Sequence, residues 1–521
     1  MDINEICKIG KITPNDENIT IINNLKDYIT QWLQSDKFNH VILPHENIAY
    51  KDLPYPPLID PDIINYDTSD IKVCWTLNIP LPPFYDFMMF GTHGVGFAAI
   101  PKLLKLCGCA SVGRDGEKES YRLYESLFEQ LVKQNTYKMR GDNKSIVLYI
   151  CDFAADEDNE KLYSLIPSKN TLHIVRDPIS ILKALCNLQS KKEEGDKKDD
   201  FSELDQDNKQ VQKMQRTGKK TLAYTLDKDP KEILSNKVRY RIGADKDAYS
   251  DHPSPSACDF WLREIYQGFH DGLLARMLIR AKNIRVMQTS DFSGKNAIHT
   301  LKALSAEFGF NEPKDEDKEL FEARVSDLKC FIPAPILLNQ DSIQSKDGKV
   351  QMLSYDDILV LELTTKFAYN RNDFTINSFS LPHPFIVQVK SINDIDKINR
   401  SGIAPQLQEY VSRLANSILE QDKVESAKKL TEDDILEYLS TNKQTAMMLD
   451  GLLVQHLRPL KETNKDYILS SWKYYQKFTE LMKKHYENEE TRYRLCRKND
   501  DKSYVFAKFN KIDLEKKENI K

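Results

Sequence analysis

Short apolar runs recur between residues 86 and 292, separated by amphipathic stretches, and this alternation limits the fold more than any other feature of the chain. "DFMMFG", "KSIVLYICDF", "TLHIVRDP" and "NIRVMQTSDF" read as buried strands. Between them, "AAIPKLLKLCG" and "GEKESYRLYESLFEQLVKQ" read as helices, the second with Tyr121, Tyr124, Leu127, Phe128 and Leu131 on one stripe. Strands apolar on both faces and joined by helices predict an α/β fold with a parallel sheet covered on both sides.

The first strand runs into "GTHGVG", three glycines within six residues, before an amphipathic stretch. Glycine allows the positive φ angles and the close backbone approach that a phosphate cradle needs. A tight turn needs the same residues, so the loop alone leaves both readings open. It lacks the lysine of GxxxxGK[ST] and misses the GxGxxG spacing of dinucleotide folds. Pro101 would kink a helix that began at Val95, which points to a later start or a bent helix.

A second feature lies further along, where "NTLHIVRDPISILKAL" puts Arg176, Asp177 and Pro178 at the end of an apolar strand. Asp177 suits a helix N-cap and Pro178 its first turn. Arg176 then falls at the carboxyl edge of the sheet, where parallel α/β proteins bind ligands. The plain alternative is an Arg–Asp surface pair.

Around this core the texture changes. Residues 1–85 form a lead-in with one expected helix, Ile21 to Leu33, and a proline-rich extended stretch that wraps a surface. Residues 190–220 are dense in both charges and poor in large apolar side chains, the signature of a disordered insertion. "SACDFWLREIYQGFHDGLLARMLIRA" (256–281) reads as a long helix with Phe260, Trp261, Tyr266 and Phe269 on its core face. "NAIHTLKALSAEFGF" reads as a helix stopped by Gly309. Residues 313–400 carry strand-like runs, and 401–521 are mainly helical.

The net charge of −5 gives no general attraction to nucleic acid. Nine cysteines, an odd and scattered set, fit reduced thiols in the cytoplasm better than disulfides, and Cys107 and Cys109 lack the partner pair that zinc would want. No metal is expected. The first residues lack a signal-peptide core, and no apolar run is long enough to span a bilayer. The expected location is the cytoplasm, with peripheral association at the inner membrane left open.

The paired motifs resemble the sulfotransferase-like branch of P-loop folds. In that family a strand–loop–helix cradles the 5′-phosphosulfate of 3′-phosphoadenylyl sulfate, and a later strand ending in R[DN]P binds the 3′-phosphate through its Arg and a Ser eight residues on. The resemblance covers about residues 86–312 and implies a three-layer parallel-sheet P-loop core, with the N-terminal extension and the helical C-terminal region outside it. It assigns Gly91, Thr92, His93, Gly94, Val95, Gly96 and Arg176 to the donor. Thr92 stands where the family keeps its lysine and Ala184 where it keeps the serine, leaving Ser180 as the nearest hydroxyl. "LPYPPLIDPDIINY", "PLPPFYDFMMFGTHGVG" and "SSWKYYQKF" carry a second, closer resemblance that spans nearly the whole chain, to a family from bacterial capsule and lipooligosaccharide gene clusters whose members are often labelled sugar transferases. Some of these are held to transfer O-methyl phosphoramidate from a cytidine-diphosphate carrier.

Together these resemblances imply a transferase moving a small anionic group from a nucleotide donor to a sugar hydroxyl. The donor is a CDP-linked phosphoramidate or 3′-phosphoadenylyl sulfate, and the acceptor a glycan or sugar precursor. His93 in the loop and Asp152 at the end of a strand are the candidate catalytic residues, against a turn histidine and a helix-capping aspartate. Arg239 and Arg241 suit either an anion or an edge strand, and Trp472, Tyr474 and Tyr475 either a sugar or a docked helix. The rivals are a glycosyltransferase, for which "DPD" at 61–63 is a weak metal motif, and a non-catalytic degenerate P-loop module.

Overall fold

The computed structural model describes residues 1–43, 48–97, 99–113, 119–139, 144–151, 158–167, 169–191, 224–226, 229–234, 238–245, 247–263, 269, 271, 278, 282–322, 328, 330–338, 359–366, 373–463 and 465–485. The chain forms two compact units. The first is built from Met1–Leu185, Cys258–Asp315 and Glu432–Lys521, and the second from Cys186–Ala257 and Glu316–Thr431. These units cut across the boundaries read from the sequence, because segments distant along the chain share one core.

The first unit is centred on a five-stranded parallel sheet. Its strands are β1 (Phe87–Phe90), β2 (Ala110–Val112), β3 (Ile146–Ile150), β4 (Asn170–Val175) and an edge strand, Lys282–Gln288. The order is β2, β3, β1, β4 and then the edge strand, with every pairing parallel. Residues in β1 and β3 are buried throughout, as strands covered on both faces must be. Met88 and Phe90 point into a cluster with Leu148, Tyr124, Leu127 and Tyr163. Phe87 points the other way, its ring 4.9 Å from that of Phe308. The sheet is therefore the middle of three layers.

Chain direction within this sheet changes at β1. From β1 the chain moves outward to β2, then returns through β3 and passes over β1 to β4. Right-handed crossovers send outward and returning connections to opposite faces. The loop leaving β1 thus parts from the connections of its two neighbours, and such a parting at the carboxyl ends of strands is where open α/β sheets bind ligands.

The lead-in contributes several helices, among them Ile3–Gly10, Asp16–Asn24, Lys26–Leu33 and Ile71–Thr76, where the sequence suggested one. Ile6, Ile22, Ile29 and Trp32 share the cluster that covers the sheet, so proline-rich segments connect packed helices. Within the helix expected over 256–281, helical backbone is described at Cys258–Trp261 and at Asp271. Phe269 has φ 63°, which a right-handed helix does not allow, so the helical stripe does not extend to it. Phe260, Trp261 and Phe269 are buried; Tyr266 lies outside the described residues. Asn296–Phe308 ends on Gly309 at φ 77° as its sequence suggested.

In the second unit, strands at Ala334–Leu338, Leu359–Thr365, Phe374–Thr375 and Phe385–Val389 join Tyr224–Thr225 in a mixed sheet. The helix Ala404–Ala427 covers it with Leu407, Val411, Leu414 and Ile418, which cluster with Ile336, Leu361 and Val387. Arg239 and Arg241 lie on Val238–Arg241, the central strand of a small antiparallel sheet rather than an edge. Both guanidinium groups pack on the Tyr249 ring, at 4.0 and 4.9 Å. The charged insertion at 190–220 falls outside the described residues except for Ser190 and Lys191. No helix among the described residues is long and apolar enough to cross a membrane.

Candidate functional site

The loop from Gly91 to Gly96 leaves the carboxyl end of β1, where the chain direction changes. Its first residue still belongs to the ladder, since the Gly91 amide donates to Ile150 O at 3.3 Å. A Cβ at Gly91 would stand 2.7 Å from Ile174 O and 2.8 Å from the Phe97 ring, so packing against β4 requires glycine there. Gly94 and Gly96 have φ of 87° and 103°, a region closed to most side chains. The chain turns tightly between them. The next helix begins at Ile100, with Ala99 and Ile100 amides both donating to Gly96 O at 2.8 and 2.9 Å. Pro101 therefore sits in the first turn, where a missing N–H costs nothing.

Two side chains from other elements hold the loop by its carbonyls. Arg176, at the end of β4, donates from Nη1 to Gly94 O at 2.7 Å. Thr289, just beyond the edge strand, donates from Oγ1 to Val95 O at 2.7 Å. Burial pushes the Arg176 guanidinium below its ordinary value, and the carboxylates of Glu432 and Asp177 oppose that shift. Thr92 is fully buried, and its Oγ1 accepts the Phe269 amide at 3.1 Å. Its side chain is thus turned into the protein. Val95 is fully buried, and His93 is half-buried at the tip.

Asp177 is the cap its sequence position suggested, with Oδ1 accepting the Ile179 amide at 2.9 Å. Its Oδ2 also accepts the amides of Tyr474 and Tyr475, at 3.1 and 3.0 Å, at the start of the helix Lys473–His485. Trp472 is buried, and its Nε1 donates to Gln288 Oε1 at 2.8 Å. The C-terminal aromatic segment is therefore docked beside the RDP turn. Ser180 Oγ donates to Glu432 Oε1 at 2.8 Å, and the Lys183 ammonium pairs with the same oxygen at 2.6 Å.

The structure thus brings Gly91, Thr92, His93, Gly94, Val95, Gly96 and Arg176 to one place, with Ser180 one helical turn beyond Arg176. Asp152 lies outside the described residues. Sequence reasoning missed Thr289 and Glu432, and it missed a buried group under the loop. His173, stacked on Phe90 with ring centroids 4.3 Å apart, meets Asp271 Oδ2 at 2.9 Å. His456 Nδ1 lies 3.9 Å from the same oxygen. No local pattern signals residues so far apart in the chain. Among the described residues no group of three or more His, Cys, Asp or Glu is arranged to hold a metal ion.

A family model described as "Protein of unknown function (DUF2972)" matches residues 286–485. The match starts within the edge strand of the parallel sheet and ends at the last described helix, taking in Thr289, Glu432 and Trp472. No curated protein and no solved structure matches the chain.

Proposed function

We propose that the chain is a transferase whose Gly91–Gly96 loop receives the phosphate of a nucleotide-activated donor. The transferred group is small and anionic, phosphoramidyl, phosphoryl or sulfuryl, and the acceptor is a hydroxyl of a capsule or lipooligosaccharide sugar. One observation carries the reading: a glycine-rich turn at the carboxyl end of the central strand of a parallel sheet, where chain direction reverses, pinned by Arg176. Successive turn amides beside glycines of positive φ suit an anion. The sheet order and the two motifs favour a P-loop type of core over other doubly wound folds.

In this reading Arg176 and Thr289 hold the loop carbonyls and so fix the direction of its amides. His93, at the tip, takes the proton from the acceptor hydroxyl as its oxygen attacks phosphorus or sulfur and the bond to the nucleotide breaks. A donor on a cytidine carrier agrees with the absence of the family's 3′-phosphate serine better than 3′-phosphoadenylyl sulfate does.

A second reading, a binding module without catalysis, has one observation in its favour. Thr92 is turned to the Phe269 amide where sulfotransferases keep a lysine, so the loop brings no cation of its own. A thermal-shift panel separates the two. Saturable stabilisation by CDP or CMP supports the donor site, and stabilisation by adenosine 3′,5′-bisphosphate alone restores an ordinary sulfotransferase. A chain indifferent to every nucleotide refutes the reading in favour of the module.

A further inference from the structure

Ser180 and Lys183 share one face of the helix Pro178–Cys186, which starts directly after Arg176 and Asp177. Both give their hydrogen bonds to a single oxygen, Glu432 Oε1, at 2.8 and 2.6 Å. The Glu432 side chain is 16% exposed and that of Lys183 26%, so the pair is largely shielded from water. Burial raises the Glu432 carboxyl, but Lys183 and Ser180 outweigh it and leave the group below its ordinary value, ionised at neutral pH. The same carboxylate acts on Arg176, where it is the strongest charge opposing the effect of burial.

An ammonium and a hydroxyl one turn apart, with a guanidinium in electrostatic reach, are the donors that a phosphate group recruits. Here they surround a carboxylate supplied by the start of the helix Glu432–Thr441. We propose that Glu432 is an internal anion filling a second anion subsite beside the loop, and that it excludes donors carrying a separate second phosphate. A ligand phosphate entering there must displace Glu432 or lie against a like charge. A donor whose phosphates all lie in one chain reaches the loop without meeting Glu432. The inference rests on the nucleotide reading for its ligand class and on the Ser180–Glu432–Lys183 contacts for its place.

The test is isothermal titration of the full chain with CDP, adenosine 3′,5′-bisphosphate and inorganic phosphate. E432Q removes the charge and keeps an oxygen for Ser180; E432S is made beside it, and circular dichroism establishes which variants fold. The expected result is adenosine 3′,5′-bisphosphate binding tightened by about tenfold or more, with CDP affinity held within about threefold. Adding K183M to E432Q should abolish the gain. Folded variants that bind the bisphosphate no better than the native chain overturn the inference, and if the native chain still binds CDP the nucleotide reading stands. A gain for inorganic phosphate alone overturns the claim of selection between nucleotides. A chain that binds no nucleotide in any form overturns both.

Discussion

Replacing Asp177 with alanine removes the acceptor for two helix starts at once. The carboxylate is 8% exposed and takes the Ile179 amide on one oxygen and the Tyr474 and Tyr475 amides on the other. The helix Lys473–His485 follows Trp472, whose side chain has no oxygen to offer, and its cap comes from a residue 297 positions earlier. Truncating one N-cap costs about 1 kcal/mol, and a buried donor left unpaired costs about 1–3 kcal/mol. Two starts in a buried setting put D177A at about 3–4 kcal/mol of destabilisation.

Asparagine should cost much less. Burial raises the Asp177 carboxyl above its ordinary value, outweighing the bonds from the Tyr475, Ile179 and Tyr474 amides. A folded pKa above the unfolded one means the folded state binds the proton more tightly. The contribution of this group is therefore greatest at pH below its unfolded pKa and declines as pH rises through the folded one. At neutral pH the ionised side chain carries a desolvation cost that a neutral amide lacks. D177N keeps one carbonyl oxygen for the tyrosine amides and gives up the bond to Ile179, a loss of about 1 kcal/mol. All four tryptophans (32, 75, 261 and 472) lie in the first unit, so urea unfolding followed by tryptophan fluorescence reports on that unit. Equal losses for D177A and D177N, or a D177A chain within about 1 kcal/mol of native, would refute the double-cap argument.

Two further predictions concern the same unit. G91A should destabilise it by about 2–3 kcal/mol through overpacking, since the added methyl would meet Ile174 O and the Phe97 ring; an unchanged urea midpoint would show that the β1–β4 contact yields. Burial holds the His456 imidazole below its ordinary value against the pull of Asp271, with His173 adding to the effect of burial. Unfolding then takes up a proton below about pH 6.5, so the native chain loses stability as pH falls through that range, by up to about 1.4 kcal/mol per unit. H456Q should show a flatter decline between pH 6.5 and 5, and an unaltered slope would assign the pH dependence elsewhere.

By itself the sequence determined four of the five strands of the parallel sheet, but not the short edge strand β2 (Ala110–Val112), whose three residues carry no apolar run of their own, nor the short helix Asn159–Ser164 between β3 and β4. Apolar runs such as 87–90 and 146–150 can be satisfied only by burial on both faces, and that requirement is written locally. It also determined the Asp177 cap, the Gly309 stop and the glycines at 94 and 96, because each depends on one residue's own backbone or side-chain chemistry. Phe269 was misread as helical for a related reason: spacing reports a stripe, but φ at one residue is decided by what surrounds it. Tertiary structure alone decided which partners the loop acquired. Thr289 on Val95, Arg176 on Gly94, Glu432 on Ser180 and Asp177 at the start of the helix Lys473–His485 are contacts between segments far apart in the chain. Their energies come from desolvated donors meeting acceptors across a folded interior. No local pattern carries that information, and it gives Thr92 an inward role and places a carboxylate beside the proposed cradle.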